Sequence, residues 1–103
     1  MANTFSVNLY PLPSPSATLQ KLAVSTAAVP FAARFYDGKT KFVLFEVQTG
    51  GVYATFDGST PSSTNGHLYA VNTREFWSAG MADSAKFIRA TVDAVVYGSP
   101  FTC

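Results

Sequence analysis

The sequence predicts an all-β chain: an antiparallel β-sandwich, jelly-roll or immunoglobulin-like, of about seven strands with an extended N-terminal arm. Three observations predict it. Period-two alternation of apolar and polar residues returns repeatedly from residue 17 onward. Turn signals interrupt it at intervals of roughly 8–12 residues. No helical periodicity extends beyond about two turns. With 103 residues the chain is one domain's worth, enough to bury a single core without staples.

Residues 1–16 form the arm. In "YPLPSPS", Pro11, Pro13 and Pro15 occupy alternate positions. Each fixes its own φ and pushes the residue before it toward extended geometry. Phe5, Val7, Leu9, Tyr10 and Leu12 make the segment too apolar for a solvated tail. The expectation is an arm lying along a neighbouring subunit, with a reach of roughly 50 Å at ~3.3 Å per residue.

Residues 17–103 form the sandwich domain. "ATLQKLAVSTAAV" (17–29) would also suit a helix, but its Val, Ser and Thr tilt it toward a strand. Asp37-Gly38 marks a turn, and "KFVLFEVQ" after it is rich in β-branched and aromatic residues. There Phe42, Leu44 and Glu46 alternate with Val43, Phe45 and Val47, so both faces are apolar up to Glu46 and the strand should be covered on both sides. Gly50-Gly51 breaks it before "VYATFD" (52–57). "FDGSTPSSTNG" (56–66) reads as a shaped corner: Asp57-Gly58 leaves the strand, Pro61 stiffens the crossing, and Asn65-Gly66 supplies positive φ. "HLYAV" (67–71), "REFWSA" (74–79) and "AKFIRATV" (85–92) follow, the last with Ile88, Ala90 and Val92 facing in. "GMADSA" (80–85) can hold one helical turn. "AVVYG" (94–98) closes the domain before the tail "SPFTC".

Composition narrows the function. Charged residues are 13% of the chain and aromatics 15%, against about 25% charged in ordinary soluble domains. That balance suits a surface buried against other protein chains. The net charge is +1 and the cations are scattered, whereas nucleic-acid binding needs clustered Lys and Arg; no nucleic-acid partner is expected. No apolar run approaches the ~20 residues that span a bilayer, so no membrane partner is expected either. The single cysteine, Cys103, cannot form a disulfide within the chain, and "MANTFSVNLY" is not a signal peptide. Folding in a cytoplasm is the expectation.

Residues that could carry chemistry are few. His67 is the single histidine, and no Gly-x-Ser-x-Gly elbow accompanies it. Asp37, Asp57 and Asp93 read as turn residues that bond their own backbone. A calcium site through Asp57, Ser59 and Asn65 would have one carboxylate where calcium prefers several. There is no zinc spacing, phosphate loop or dinucleotide fingerprint. Hence no catalytic residue, metal or cofactor is expected. Trp77 with Phe76 and Tyr69 could make a sugar-stacking platform. The favoured alternative puts Phe76 in the core and Trp77 at a sheet edge or subunit contact.

"VYATFDGSTPSSTNGHLYAVNTREFWSAGMADSAKFIRAT" resembles a segment of small virion proteins of tailed bacteriophages. The matching residues are Asp57, Gly58, Thr60, Pro61, Gly66 and Leu68, then Phe87, Ile88, Arg89 and Ala90, within residues 41–98. The resemblance implies a non-enzymatic structural protein of the virion that decorates or cements the capsid. It implies the major capsid protein or other virion proteins as partners, and a homo-oligomer. A head–tail connector, tail or fibre component is the alternative within the particle; a small carbohydrate-binding sandwich is the alternative outside it. Partner contacts are expected at Phe5, Leu9, Tyr10, Leu12, Trp77 and Phe101, since the arm and the tail after Gly98 fall outside the resemblance.

Overall fold

The sequence alternation produces strands throughout. The structure, a computed structural model, describes residues 18–102 and the backbone of residues 12–13. The strands are β1 (Leu12–Pro13), β2 (Gln20–Val24), β3 (Val29–Pro30), β4 (Phe42–Gln48), β5 (Val52–Thr55), β6 (His67–Tyr69), β7 (Arg74–Ser78), β8 (Lys86–Arg89) and β9 (Ala94–Thr102), with one helix, α1 (Ala79–Ser84), between β7 and β8. All the pairings are antiparallel. They make a five-stranded sheet, β1-β9-β4-β7 with β2 also on β9, and a four-stranded sheet, β3-β8-β5-β6. The all-β architecture in two antiparallel sheets is as the sequence predicts. The strand count exceeds the expected seven because β1 and β3 are two-residue pairings that no periodicity can announce.

The two sheets have one strand order. The order β2-β9-β4-β7 in one is matched by β3-β8-β5-β6 in the other, and in each matched pair the two strands are consecutive in the chain. Apart from β1, the two sheets are thus related as the two halves of a four-stranded sheet creased once would be. Strands that bend from one sheet into the next are a known way of making such a corner. The crease runs through residues 25–28, 49–51, 70–73 and 90–93.

Backbone bonds continue across it: Arg89 N–H donates to the Ser25 carbonyl at 3.0 Å, Ala90 N–H to Gly51 at 3.0 Å, and Asn72 N–H to Val47 at 2.8 Å. Ser25 and Arg89 both donate to the Asp93 carboxylate, at 2.8 and 2.7 Å. The bend requires unusual backbone. Thr49 and Asn72 have φ of 77° and 72°, in the left-handed region where a non-glycine residue is uncommon. Gly50 lies so close to the opposing corner that a Cβ there would come within 2.6 Å of Val92 Cγ2.

The inner faces meet in an aromatic core. Phe45 of the five-stranded sheet lies parallel to Phe87 of the four-stranded one at 5.8 Å. Val43, Val47, Val52, Ala54, Val96 and Trp77 surround them. The end away from the crease is closed by the 31–41 segment and α1. Phe31 meets Phe35 and Phe87 edge-on at 5.0 and 5.3 Å. The Asp83 carboxylate in α1 accepts from the Phe35 and Tyr36 N–H groups at 2.6 and 3.0 Å. The helix is short and starts where Ser78 caps it, its hydroxyl accepting from Met81 N–H.

Three expectations change. The inward residue of β8 is Phe87, fully buried, while Ile88 is half-buried and Val92 is exposed. The strand ends at Arg89, so Val92 belongs to the crease. The tail after Gly98 is not outside the domain: β9 runs to Thr102 and pairs along β4, with Phe101 opposite Phe42. Part of the arm also joins the sheet, since Leu12 and Pro13 pair with Thr102 and Phe101. Residues 1–11 and 14–17 lie outside the described residues.

Candidate functional site

Two surfaces could act: the corner at 56–66 and the outer face of the five-stranded sheet. The corner is built as the sequence reads it. Asp57 accepts from the Ser59 N–H at 3.0 Å and from its hydroxyl at 2.5 Å, the expected Asx turn. Gly58 has φ of +86° and Gly66 +141°. A Cβ on Gly66 would meet the Ala54 carbonyl oxygen at 2.9 Å. Ser62 and Asn65 close a tight turn with reciprocal backbone bonds of 2.8 and 3.2 Å. The Asn65 amide donates to the Thr60 carbonyl and the Ser59 hydroxyl. Pro61 is buried beneath.

This corner borders an open cleft of about 370 Å³ lined by Thr55, Phe56, Asp57, Ser59, Asn65, Gly66 and His67. Ser, His and Asp therefore share one cleft, but not in the order that nucleophilic catalysis needs. The Ser59 hydroxyl proton goes to Asp57, not to an imidazole. His67 instead sets its ring against Phe56 at 6.2 Å. The Ser59 hydroxyl and N–H hold the Asp57 carboxyl below its ordinary value of 3.8. It is ionised at neutral pH and serves as a turn acceptor, not as a proton donor. Among the described residues no cluster of three or more His, Cys, Asp or Glu could hold a metal ion.

The outer face of the five-stranded sheet has a different chemistry. Residues directly opposite one another across a ladder share a face. The register therefore gathers Phe42, Leu44 and Glu46 of β4 with Phe76 and Arg74 of β7 and with Tyr97, Ser99 and Phe101 of β9. Phe76 is 50% exposed. It meets Phe101 edge-on at 5.5 Å, across β4. Phe42, Leu44 and Phe101 are half-buried. Polar residues border the patch toward the crease. Arg74 lies 3.5 Å from Glu46, and the Gln48 amide, then Arg74, lower the Glu46 carboxyl from its ordinary value. Lys21 reaches over the Tyr97 ring at 6.0 Å.

The residues expected at partner contacts separate sharply. Phe5, Leu9 and Tyr10 lie outside the described residues, and of Leu12 the structure describes the backbone pairing alone. Phe101 is on the apolar outer face. Trp77 is not at an edge contact: it is 3% exposed and stacks on Phe45 inside the core. Its neighbour Phe76, expected in the core, is the exposed ring. Alternation correctly separated Phe76 from Trp77, but the inward side is the one carrying Trp77, where the indole N–H can reach the Glu75 carboxylate at 2.6 Å. The stacking platform of Trp77, Phe76 and Tyr69 is therefore not formed. Phe76 points away from the other two, and Tyr69 is half-buried against Phe45. Burial, and then the nearby Glu75 charge, raise the Tyr69 phenol above its ordinary value. Phe42, Leu44 and Phe76 went unrecognised as surface residues, although the two apolar faces of β4 were the signal for them.

No family model, curated protein or solved structure matches the chain.

Proposed function

We propose that this chain is a non-enzymatic structural protein of a tailed-phage particle, decorating or cementing the capsid through protein–protein contacts. The observation that carries the assembly part of this reading is the apolar patch of Phe42, Leu44, Phe76 and Phe101 on the solvent side of the five-stranded sheet. A 103-residue chain with 13% charged residues gains most from such a patch when another protein covers it. The resemblance of residues 41–98 to small virion proteins supports the phage setting. Its matching residues Asp57, Gly58, Pro61 and Gly66 are those that shape the 56–66 corner. Within the sandwich class, the jelly-roll type is favoured, because the β4–β9 pair and its continuation β5–β8 pass together from one sheet to the other. Weak contacts repeated by the symmetry of a shell add up to strong attachment without chemistry.

The partners in this reading are the major capsid protein or other virion proteins, with further copies of the chain itself. The particle, assembled in the host cytoplasm, is its location. Mass spectrometry of purified particles of the phage carrying this gene tests the proposal. The chain should be present in mature particles at shell copy number. A neck or tail copy number moves it to the head–tail or tail apparatus, and absence overturns the virion reading.

A further inference from the structure

The side chains on the outer face of the five-stranded sheet fall into rows. Phe101, Phe42 and Ser78 form the row farthest from the crease. Ser99, Leu44 and Phe76 form the next. Tyr97, Glu46 and Arg74, joined by Lys21 on β2, form the third and end the apolar area. The patch is thus confined to the open end of the sheet. At that same end, β1 places Pro13 directly opposite Phe101.

The direction of β1 matters. It runs antiparallel to β9, with Pro13 opposite Phe101 and Leu12 opposite Thr102. Followed back toward the N-terminus, from Pro13 to Leu12, β1 is directed toward the open end of the sheet, away from the crease. β1 therefore lies at the border of the patch, and its N-terminal end is the one farther from the crease. We propose that the patch seats the N-terminal segment, residues 1–11, of a second copy of the chain, so that copies associate by exchanging arms.

The chemistry of the segment matches the surface. The first charged residue of the chain is Lys21, so the segment brings no side-chain charge onto Phe42, Leu44, Phe76 and Phe101. Phe5, Val7 and Leu9 alternate with Ser6 and Asn8. Extended, they put three apolar side chains on one side and two polar ones on the other. Eleven extended residues reach about 36 Å at ~3.3 Å each, against about 23 Å for the seven residues of β4. The segment is long enough to leave one sheet and lie along the next. The exchange deepens the assembly reading and rests on it only in that the patch meets protein; it requires no phage particle.

Sedimentation velocity on the full chain over micromolar concentrations tests it, beside Phe76→Glu and a chain lacking residues 1–11. The full chain is expected to associate. The truncated chain should be monomeric, and Phe76→Glu should raise the dissociation constant at least about tenfold. Both variants should keep the far-ultraviolet signal of the folded sheets. Photoreactive benzoylphenylalanine in place of Phe5 should crosslink to a peptide containing Phe42 or Phe76 of an isotope-labelled second copy. A monomeric full chain, undiminished association after truncation, or crosslinks confined to the same chain would each overturn the exchange. None of these results bears on whether the chain is found in purified particles, so the two proposals fail separately.

Discussion

The indole of Trp77 lies 3.9 Å from the ring of Phe45, tilted by only 14°. The pair joins adjacent strands β7 and β4 on the inner face of the five-stranded sheet, and Phe87 from the opposite sheet lies parallel to both rings. Phe56 and Tyr69 also pack against the indole, at 5.2 and 5.5 Å. Trp77→Ala should destabilise the fold by about 3–5 kcal/mol, the usual loss for a large aromatic removed from a packed core. Urea denaturation measures it. In the native chain, acrylamide should quench the Trp77 fluorescence poorly; quenching as fast as that of free tryptophan would contradict its burial.

Asp83 ties the helix to the segment that closes the open end. Its carboxylate accepts both the Phe35 and the Tyr36 N–H, and its side chain is only 11% exposed. Asp83→Ala leaves these donors without their acceptor and should cost about 1–3 kcal/mol. Asp83→Asn keeps one carbonyl acceptor and should cost less. Equal denaturation midpoints for Asp83→Ala and the native chain would show that the anchor contributes nothing.

The crease stores strain at Thr49, a β-branched residue at φ of 77°. Asparagine tolerates that conformation better, so Thr49→Asn should raise stability by up to about 1 kcal/mol. A lowered melting temperature would mean that the threonine side chain makes up for its backbone.

Glycines give a paired prediction. Gly66→Ala puts a Cβ 2.9 Å from the Ala54 carbonyl oxygen at φ of +141° and should destabilise the fold. Gly80, in α1, has nothing within 4 Å of its would-be Cβ. Gly80→Ala should stabilise by up to about 1 kcal/mol through helix propensity. The two melting temperatures should move in opposite directions.

Acid should weaken the crease through Asp93. The Ser25 hydroxyl and then Arg89 hold its carboxyl below the ordinary value of 3.8. A depressed folded-state value means that the contribution is complete above the unfolded value and is lost as pH falls through the folded one. Thermal stability should therefore be insensitive to this group from neutrality down to about pH 5 and decline below about pH 4. Asp93→Asn should flatten part of that decline. An unchanged acid profile in Asp93→Asn would remove Asp93 from the account.

Local chemistry was legible in the sequence, because it depends on neighbours along the chain. The Asp57-Gly58 and Asn65-Gly66 turns, the break at Gly50-Gly51, the helical turn within 80–85 and the alternation of β4 all follow from backbone preferences over a few residues. Alternation also fixed which residues share a face: Phe76 opposite Trp77, Phe42 with Leu44. It could not say which face is inside, because a period of two is symmetric between the faces. Trp77 went inward, where Phe45 and Phe87 pack on it and Glu75 accepts its N–H; Phe76 was left outside. Phe87 likewise took the inner place expected for Ile88. The shared strand order of the two sheets, the crease at Thr49 and Asn72, the Ser25–Asp93–Arg89 clamp and the return of β9 along β4 join residues far apart in sequence. They were settled only when the two sheets packed together and the aromatic side chains competed for one core.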